Sequence, residues 1–193
     1  MTYISQKWLD VLVPFTENYN QRMTGSTIAK KVHIPQKTVS RILHALSPTI
    51  IRYNRDGKNK YYYFDLNDKK SHIVLSMVEH TKALRTMTKY PHFGLMFAEL
   101  MWHSTVVLFG SYAKGTEHKE SDVDLWIVGR KNKNIQRIIE KYPYEVHVQF
   151  STLNEFQHKL EHKHNLALEI ASHHVIFGNA DEIVDGLMRY WKT

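Results

Sequence analysis

Asp122 and Asp124 stand two residues apart in Ser121-Asp-Val-Asp-Leu125, at the mouth of the apolar run Leu125-Trp-Ile-Val128. Alternation along a strand puts residues i and i+2 on one face, about 6–7 Å apart along the chain. Two carboxylates held in this way can share divalent metal ions, which take hard oxygen ligands. Upstream, Gly110-Ser111 directly follows a second apolar run, Thr105-Val-Val-Leu-Phe109. The stretch from Leu108 to Trp126 therefore reads as strand, glycine turn, polar loop and second strand, with the acid pair on the second strand.

The elements that must position this stretch follow it in the chain. The pattern predicts a helix over 134–142 and a strand over 144–150. Ser151 or Thr152 caps a helix running through His164, and a further helix covers 165–171. A short strand over 174–177 and a last helix over 180–191 complete the series. Strands alternate with helices, which implies an α/β module with a small mixed sheet over residues 105–193.

The run GSYAKGTEHKESDVDL resembles the signature of the minimal nucleotidyltransferases of the DNA polymerase beta superfamily. That signature is an apolar strand, Gly-Ser, a polar loop and Asp-x-Asp, and Gly110, Ser111, Ala113, Gly115, Ser121, Asp122, Asp124 and Leu125 match it. The resemblance implies a nucleoside triphosphate as substrate and two Mg²⁺ ions held by Asp122 and Asp124, with Gly110, Ser111 and Ser121 around the nucleotide. The physical chemistry agrees. Glycine lets the backbone approach a phosphate, a serine at a helix start offers a hydroxyl and an amide, and paired metal ions neutralise a triphosphate. Lys114 and Lys119 in the loop read equally as triphosphate contacts or as solvated charges.

The family usually carries a third carboxylate on a neighbouring strand. In Glu145-Val-His-Val-Gln-Phe150 that position falls on His147, with Glu145 two residues away on the same face. Three alternatives stand. Glu145 is the third acid through a shift of register; His147 acts as base, since imidazole titrates near neutrality; or the third function is lost, leaving a nucleotide-binding or inactive domain. The histidine pairs His162/His164 and His173/His174 lack the i,i+3 or i,i+4 spacing of helical neighbours and read as solvated.

The first third of the chain has a different character. The formal charge is +7, and residues 1–66 hold ten Lys and Arg against four Asp and Glu. Such a concentration implies a polyanionic partner. A helix from Ile4 to Phe15 is followed by a short helix over 27–32, capped by Thr24 or Ser26, and by a second one over 36–46 after Pro35. Strands over 49–53 and 60–64 flank Asp56-Gly57, a hairpin signal. Helix-turn-helix followed by a basic hairpin resembles the winged-helix family of DNA-binding domains. The resemblance implies a recognition helix presenting Gln36, Lys37, Ser40, Arg41 and His44, and a wing whose Arg55, Lys58 and Lys60 meet phosphates. The Tyr61–Tyr63 run reads as a strand with one or two rings in the core.

Between the two modules, residues 67–104 read as a helical connector, interrupted at Pro91, with Met77, Met87, Met96 and Met101 as core or interface filler. A homodimer contact along these helices is an expectation of this pattern. The expected fold class is α+β, a winged helix-turn-helix over 1–66 followed by a nucleotidyltransferase-type domain. Absence of cysteine excludes disulfides and thiolate metal sites. No apolar run approaches the length of a membrane span, and the start MTYISQKWLD lacks a signal-peptide pattern. The expected setting is the cytoplasm. Two functions follow: transfer of a nucleoside monophosphate to an acceptor hydroxyl, or DNA-bound regulation in which the second domain senses nucleotide or only dimerises.

Overall fold

The computed structural model describes residues 5–192, and Ile4, the expected start of the first helix, lies outside them. Helix α1 (Gln6–Leu12) gives way to a tight 3₁₀ turn over Val13–Thr16, because Pro14 has no amide with which to continue the helical bonding. A two-residue strand β1 (Met23–Thr24) leads into α2 (Gly25–Val32), where the Thr24 side chain accepts from the Thr27 amide. Helix α3 (Gln36–Leu46) buries Val39, Ile42, Leu43 and Leu46. The hairpin β2 (Arg52–Asp56) and β3 (Asn59–Tyr63) turns at Gly57, and β1 completes a sheet of order β1-β3-β2.

The strand expected over 49–53 begins only at Arg52. The amides of Ile50 and Ile51 both donate to the Leu46 carbonyl, so the chain leaves α3 through another turn before it extends. Of the three consecutive tyrosines, Tyr62 is buried.

Helix α4 (Lys69–Lys89) starts at Asp68, whose side chain accepts from the Lys70 amide, and packs Val74, Leu75 and Val78 into the core. Tyr90 breaks it, and Pro91 opens α5 (Pro91–Met101), where a missing amide costs nothing. Met96 lies in the core, whereas Met77 and Met101 are exposed. There follow β4 (Val106–Phe109), α6 (Gly110–Lys114), β5 (Val123–Val128), α7 (Lys133–Glu140) and β6 (Val146–Ser151). Next come α8 (Leu153–Glu161), α9 (Asn165–Ser172), β7 (Val175–Phe177) and α10 (Ala180–Lys192). The helix expected to reach His164 ends at Glu161, beyond which Lys163 turns left-handed at φ 53°.

The four strands form a sheet of order β6-β5-β4-β7, with β5 and β6 parallel and the other pairs antiparallel. The class is α+β with a small mixed sheet. Period-two alternation divides its residues between two cores. Val107, Phe109, Trp126 and Ile176 join a core that also holds residues of α1–α4 and α8–α10. Val106, Leu108, Val123, Leu125, Ile127 and Phe177 face α5 and α7. Trp126 stacks on Phe156 and Phe97 on Phe177, each with ring centroids 4.1 Å apart.

The first of these cores contains a polar centre. Glu79 of α4 is fully buried and accepts from Tyr19 Oη at 3.1 Å, His174 Nε2 at 3.1 Å and Lys82 Nζ at 2.7 Å. Lys82 Nζ also donates to Thr16 Oγ1 at 3.1 Å, and His174 Nδ1 donates to the Ile170 carbonyl at 2.8 Å. The expectation of a solvated His173/His174 pair is corrected here: His173 is exposed, but His174 is buried because both of its ring nitrogens find acceptors inside the fold. His162 and His164 are exposed, as expected. Among the described residues no helix is long and apolar enough to cross a membrane.

Candidate active site

Antiparallel pairing of β4 with β5 sets Phe109 opposite Asp124, which brings the following residue, Gly110, against the Asp124 side chain. Gly110 has φ +69°, and a Cβ built there would lie 2.2 Å from Asp124 Oδ2 and 3.1 Å from Asp124 Cγ. Glycine is therefore required for its backbone conformation and for the room it leaves to the carboxylate. Asp122 precedes β5 rather than lying within it, so the pair straddles the strand's first residue.

The loop between Gly115 and Asp122 is tied at both ends. Gly115, at φ +70°, ends α6. The His118 amide donates to Ser121 Oγ at 2.9 Å and the Ser121 amide to the His118 carbonyl at 3.0 Å, so the Ser121 oxygen closes the loop. Glu117 anchors the loop to the end of α4, accepting from Lys89 Nζ at 2.9 Å and from Tyr90 Oη. Bonds from Tyr90 and Lys89 hold the Glu117 carboxyl at about 2. Behind the loop, Phe93 packs edge-on against Tyr144 and Tyr112 at 4.6 and 5.1 Å.

These residues border an open cavity of about 370 Å³, lined by Gly110, Ser111, Lys114, Thr116, His118, Glu120, Ser121, Asp122, Asp124 and Glu169. Its lining is strongly acidic. Burial pushes the Asp124 carboxyl above its ordinary range; Glu169 and Asp122 add to this, and His147 opposes it. Lys114 pairs with Glu169 at 2.6 Å, while Lys119 is exposed. Sequence reasoning missed Glu169. It reaches the cavity from α9, 45 residues beyond Asp124 in the chain, and no local pattern marks it.

Strand β6 completes the surroundings. Its parallel register sets His147 opposite Asp124, and the Val123 amide donates to the Glu145 carbonyl at 2.9 Å. His147 Nδ1 stands 3.7 Å from Asp122 Oδ2 and 3.6 Å from Asp124 Oδ1, and its Nε2 stands 3.8 Å from Glu145 Oε1. Ligand atoms of Asp122, Glu145 and His147 all lie within 4.8 Å of one another. Two carboxylates and an imidazole that converge without hydrogen-bonding one another suit a divalent cation.

The residues singled out in the first third lie elsewhere on the chain. Gln36, Lys37, Ser40, Arg41 and His44 are all exposed on one side of α3, opposite its buried stripe. Arg55 and Lys58 are exposed on the hairpin, while Lys60 is half-buried with Nζ 4.6 Å from the centre of the Tyr53 ring.

In comparison with known proteins, residues 98–190 match the family model described as a nucleotidyltransferase domain. No curated protein and no solved structure matches the chain.

Proposed function

We propose, with residues 98–190 matching a nucleotidyltransferase domain, that the protein transfers a nucleoside monophosphate from a nucleoside triphosphate to an acceptor hydroxyl. The observation that carries this reading is the fit of the Asp124 carboxylate into the space that the Gly110 side chain would fill, beside Asp122 and Ser111 in one cavity. The acceptor oxygen bonds to the α-phosphorus. The bond to the β-phosphate breaks with its electron pair on the leaving pyrophosphate, and the hydroxyl proton passes to a carboxylate of the site. Gly110 and Ser111 receive phosphate oxygens, and Asp122 and Asp124 would hold the divalent ions. Bound Mg²⁺ neutralises the triphosphate and stabilises the charge that develops at phosphorus. Glu145 and His147 complete the site, and Ser121 supports it by closing the loop.

Incubation with labelled triphosphates and Mg²⁺ tests this. We expect label transfer or pyrophosphate release by the parent and a loss of at least ~10²-fold with Asp122→Ala. Release that Asp122→Ala leaves unchanged removes the proposal.

The N-terminal part is proposed to be a winged helix-turn-helix that binds duplex DNA in the cytoplasm. Exposure of Gln36, Lys37, Ser40, Arg41 and His44 together on α3 and of Arg55 and Lys58 on the hairpin, beside half-buried Lys60, supports it. Binding to a duplex is expected to weaken steeply with salt, and Arg41→Ala to weaken it further and lower the salt slope by about one. Affinity indifferent to both changes excludes DNA as the partner. Ile73, Met77 and Leu84, exposed along one side of α4, are where we place a homodimer contact. The regulator reading, in which the second domain senses nucleotide without turnover, is favoured by one observation, the imidazole of His147 standing opposite Asp124.

A further inference from the structure

The sheet of the first third turns one side into the core and leaves the other bare. Pairing of Arg52 with Tyr63 and of Asn54 with Tyr61 sets these four side chains on one face, while Met23 and Tyr62, paired on the opposite face, are buried. We infer that the outer face, built from Arg22, Arg52, Asn54, Tyr61 and Tyr63, binds single-stranded DNA, with bases stacked on the tyrosines and phosphates on the arginines. The choice of DNA over RNA rests on the DNA reading of α3; the chemistry of the face does not.

Three observations carry it. The first is the placement of the rings. Tyr61 and Tyr63 stand two residues apart on β3, the central strand of the sheet, about 6–7 Å from one another along the chain. Both are half-buried, on a face whose Arg52, Asn54 and Asn59 are exposed. Stacking on aromatic rings tolerates any sequence, because every base has a π-face. The second is the cations. Arg22 is exposed, and its guanidinium carbon lies 4.8 Å from the centre of the Tyr63 ring. With the Asn54 amide turned to satisfy its neighbours, its oxygen accepts from Arg22 Nη1 at 3.1 Å. The guanidinium is thus held over the ring without an acid. Among the described residues, arginine ion pairs join Arg85 to Asp10 and Arg189 to Asp185, and neither Arg22 nor Arg52 has one. The acid of this face, Asp56, stands at the turn, opposite Asn59. The third is a repulsion. The same hairpin sets Arg55 directly opposite Lys60, and like charges in that position destabilise a strand pair. A phosphate backbone running past the hairpin relieves it.

This surface is separate from the exposed side of α3. Leu43 and Leu46 of α3 share a core with Tyr62, so the helix lies on the inner side of the sheet and the tyrosine–arginine face on the outer. One module therefore offers a helix to a duplex and a stacking face to an unpaired strand.

The test is a fluorescence-anisotropy titration of the full chain against labelled oligothymidylate over a range of salt. We expect Tyr61→Leu to weaken binding at least ~5-fold and Tyr61→Phe, which keeps the ring, to stay within about twofold of the parent. Arg22→Ala should weaken it and lower the salt slope by about 0.7, the share of one phosphate contact on a single strand. Arg41→Ala, on the other surface, should stay within about twofold. Thermal melts followed by circular dichroism establish that each variant is folded. Absence of binding, binding indifferent to Tyr61→Leu and Arg22→Ala, or equal losses in Tyr61→Leu and Tyr61→Phe overturns the inference. Tighter binding of oligouridylate than of oligothymidylate overturns the assignment to DNA. Oligothymidylate held through Tyr61 by a chain that ignores duplexes upholds this face and removes the duplex reading of α3. Duplex binding lost in Arg41→Ala, without binding of oligothymidylate, does the reverse.

Discussion

Replacing Glu79 by Ala is expected to destabilise the protein by about 3–5 kcal/mol, the cost of removing one member of a buried charged cluster and leaving the others unpaired. Tyr19, Lys82 and His174 all donate to this carboxylate; Lys82 keeps Thr16 Oγ1 and His174 keeps the Ile170 carbonyl, but each of the three loses its bond to Glu79. Burial alone would raise the Glu79 carboxyl, but the charges of Lys82 and His174 and the bonds from both outweigh it, and the group sits at about 2 against an ordinary 4.5. A depressed carboxyl contributes stability that is fully present above its unfolded value and is lost as pH falls toward its folded value. The parent should therefore lose stability between pH 4.5 and about 2. Urea unfolding across this range should show that limb in the parent and a diminished one in Glu79→Ala. A variant within about 1 kcal/mol of the parent at neutral pH would mean that the cluster is held by its apolar surroundings instead.

The largest effect on activity is expected at Gly110. An alanine there places Cβ 2.2 Å from Asp124 Oδ2, and the carboxylate must move. Displacement of about 1 Å at a reacting centre costs on the order of 10²-fold in rate, so label transfer should fall by at least that much. The left-handed backbone adds a stability cost of about 1–2 kcal/mol. Gly115 separates the two contributions. It has φ +70°, but a Cβ there meets nothing within 4 Å. Gly115→Ala should show a comparable loss in a thermal melt while keeping transfer within a few-fold of the parent. Equal losses of transfer in both variants would assign the effect to backbone strain and not to Asp124.

Gly110, Ser111, Asp122 and Asp124 were legible in the sequence because their chemistry is local. A strand, a glycine turn and an alternating acid pair can be read from residue types at fixed spacing. The buried stripe of α3 and its exposed polar side were legible for the same reason, since helical period sorts them. Glu169 and the Glu79–His174 pair were not. Glu79 and His174 are separated by 95 residues in the chain, and only packing of α4 against the turn before β7 makes them partners. His174 read as solvated because adjacent histidines lack the spacing of helical neighbours, yet alternation into β7 turns it inward. Strand β1 was missed since two residues carry no period, and the strand over 49–53 was placed too early because apolar Ile50 and Ile51 look alike in a strand and in a closing helical turn.

The sheet that carries the aspartates is lined on one side by Val107, Trp126 and Ile176, which share a continuous core with Val74, Leu75 and Val78 of α4 and with Val11 and Phe15 near the start of the chain. The segment that matches the family begins at residue 98, beyond all of these last five side chains. Its sequence boundary is therefore not a boundary of cooperativity. Excision at that point would bare Val107, Trp126 and Ile176 and strand His174 without its carboxylate, so residues 98–190 and the basic first third are expected to unfold together.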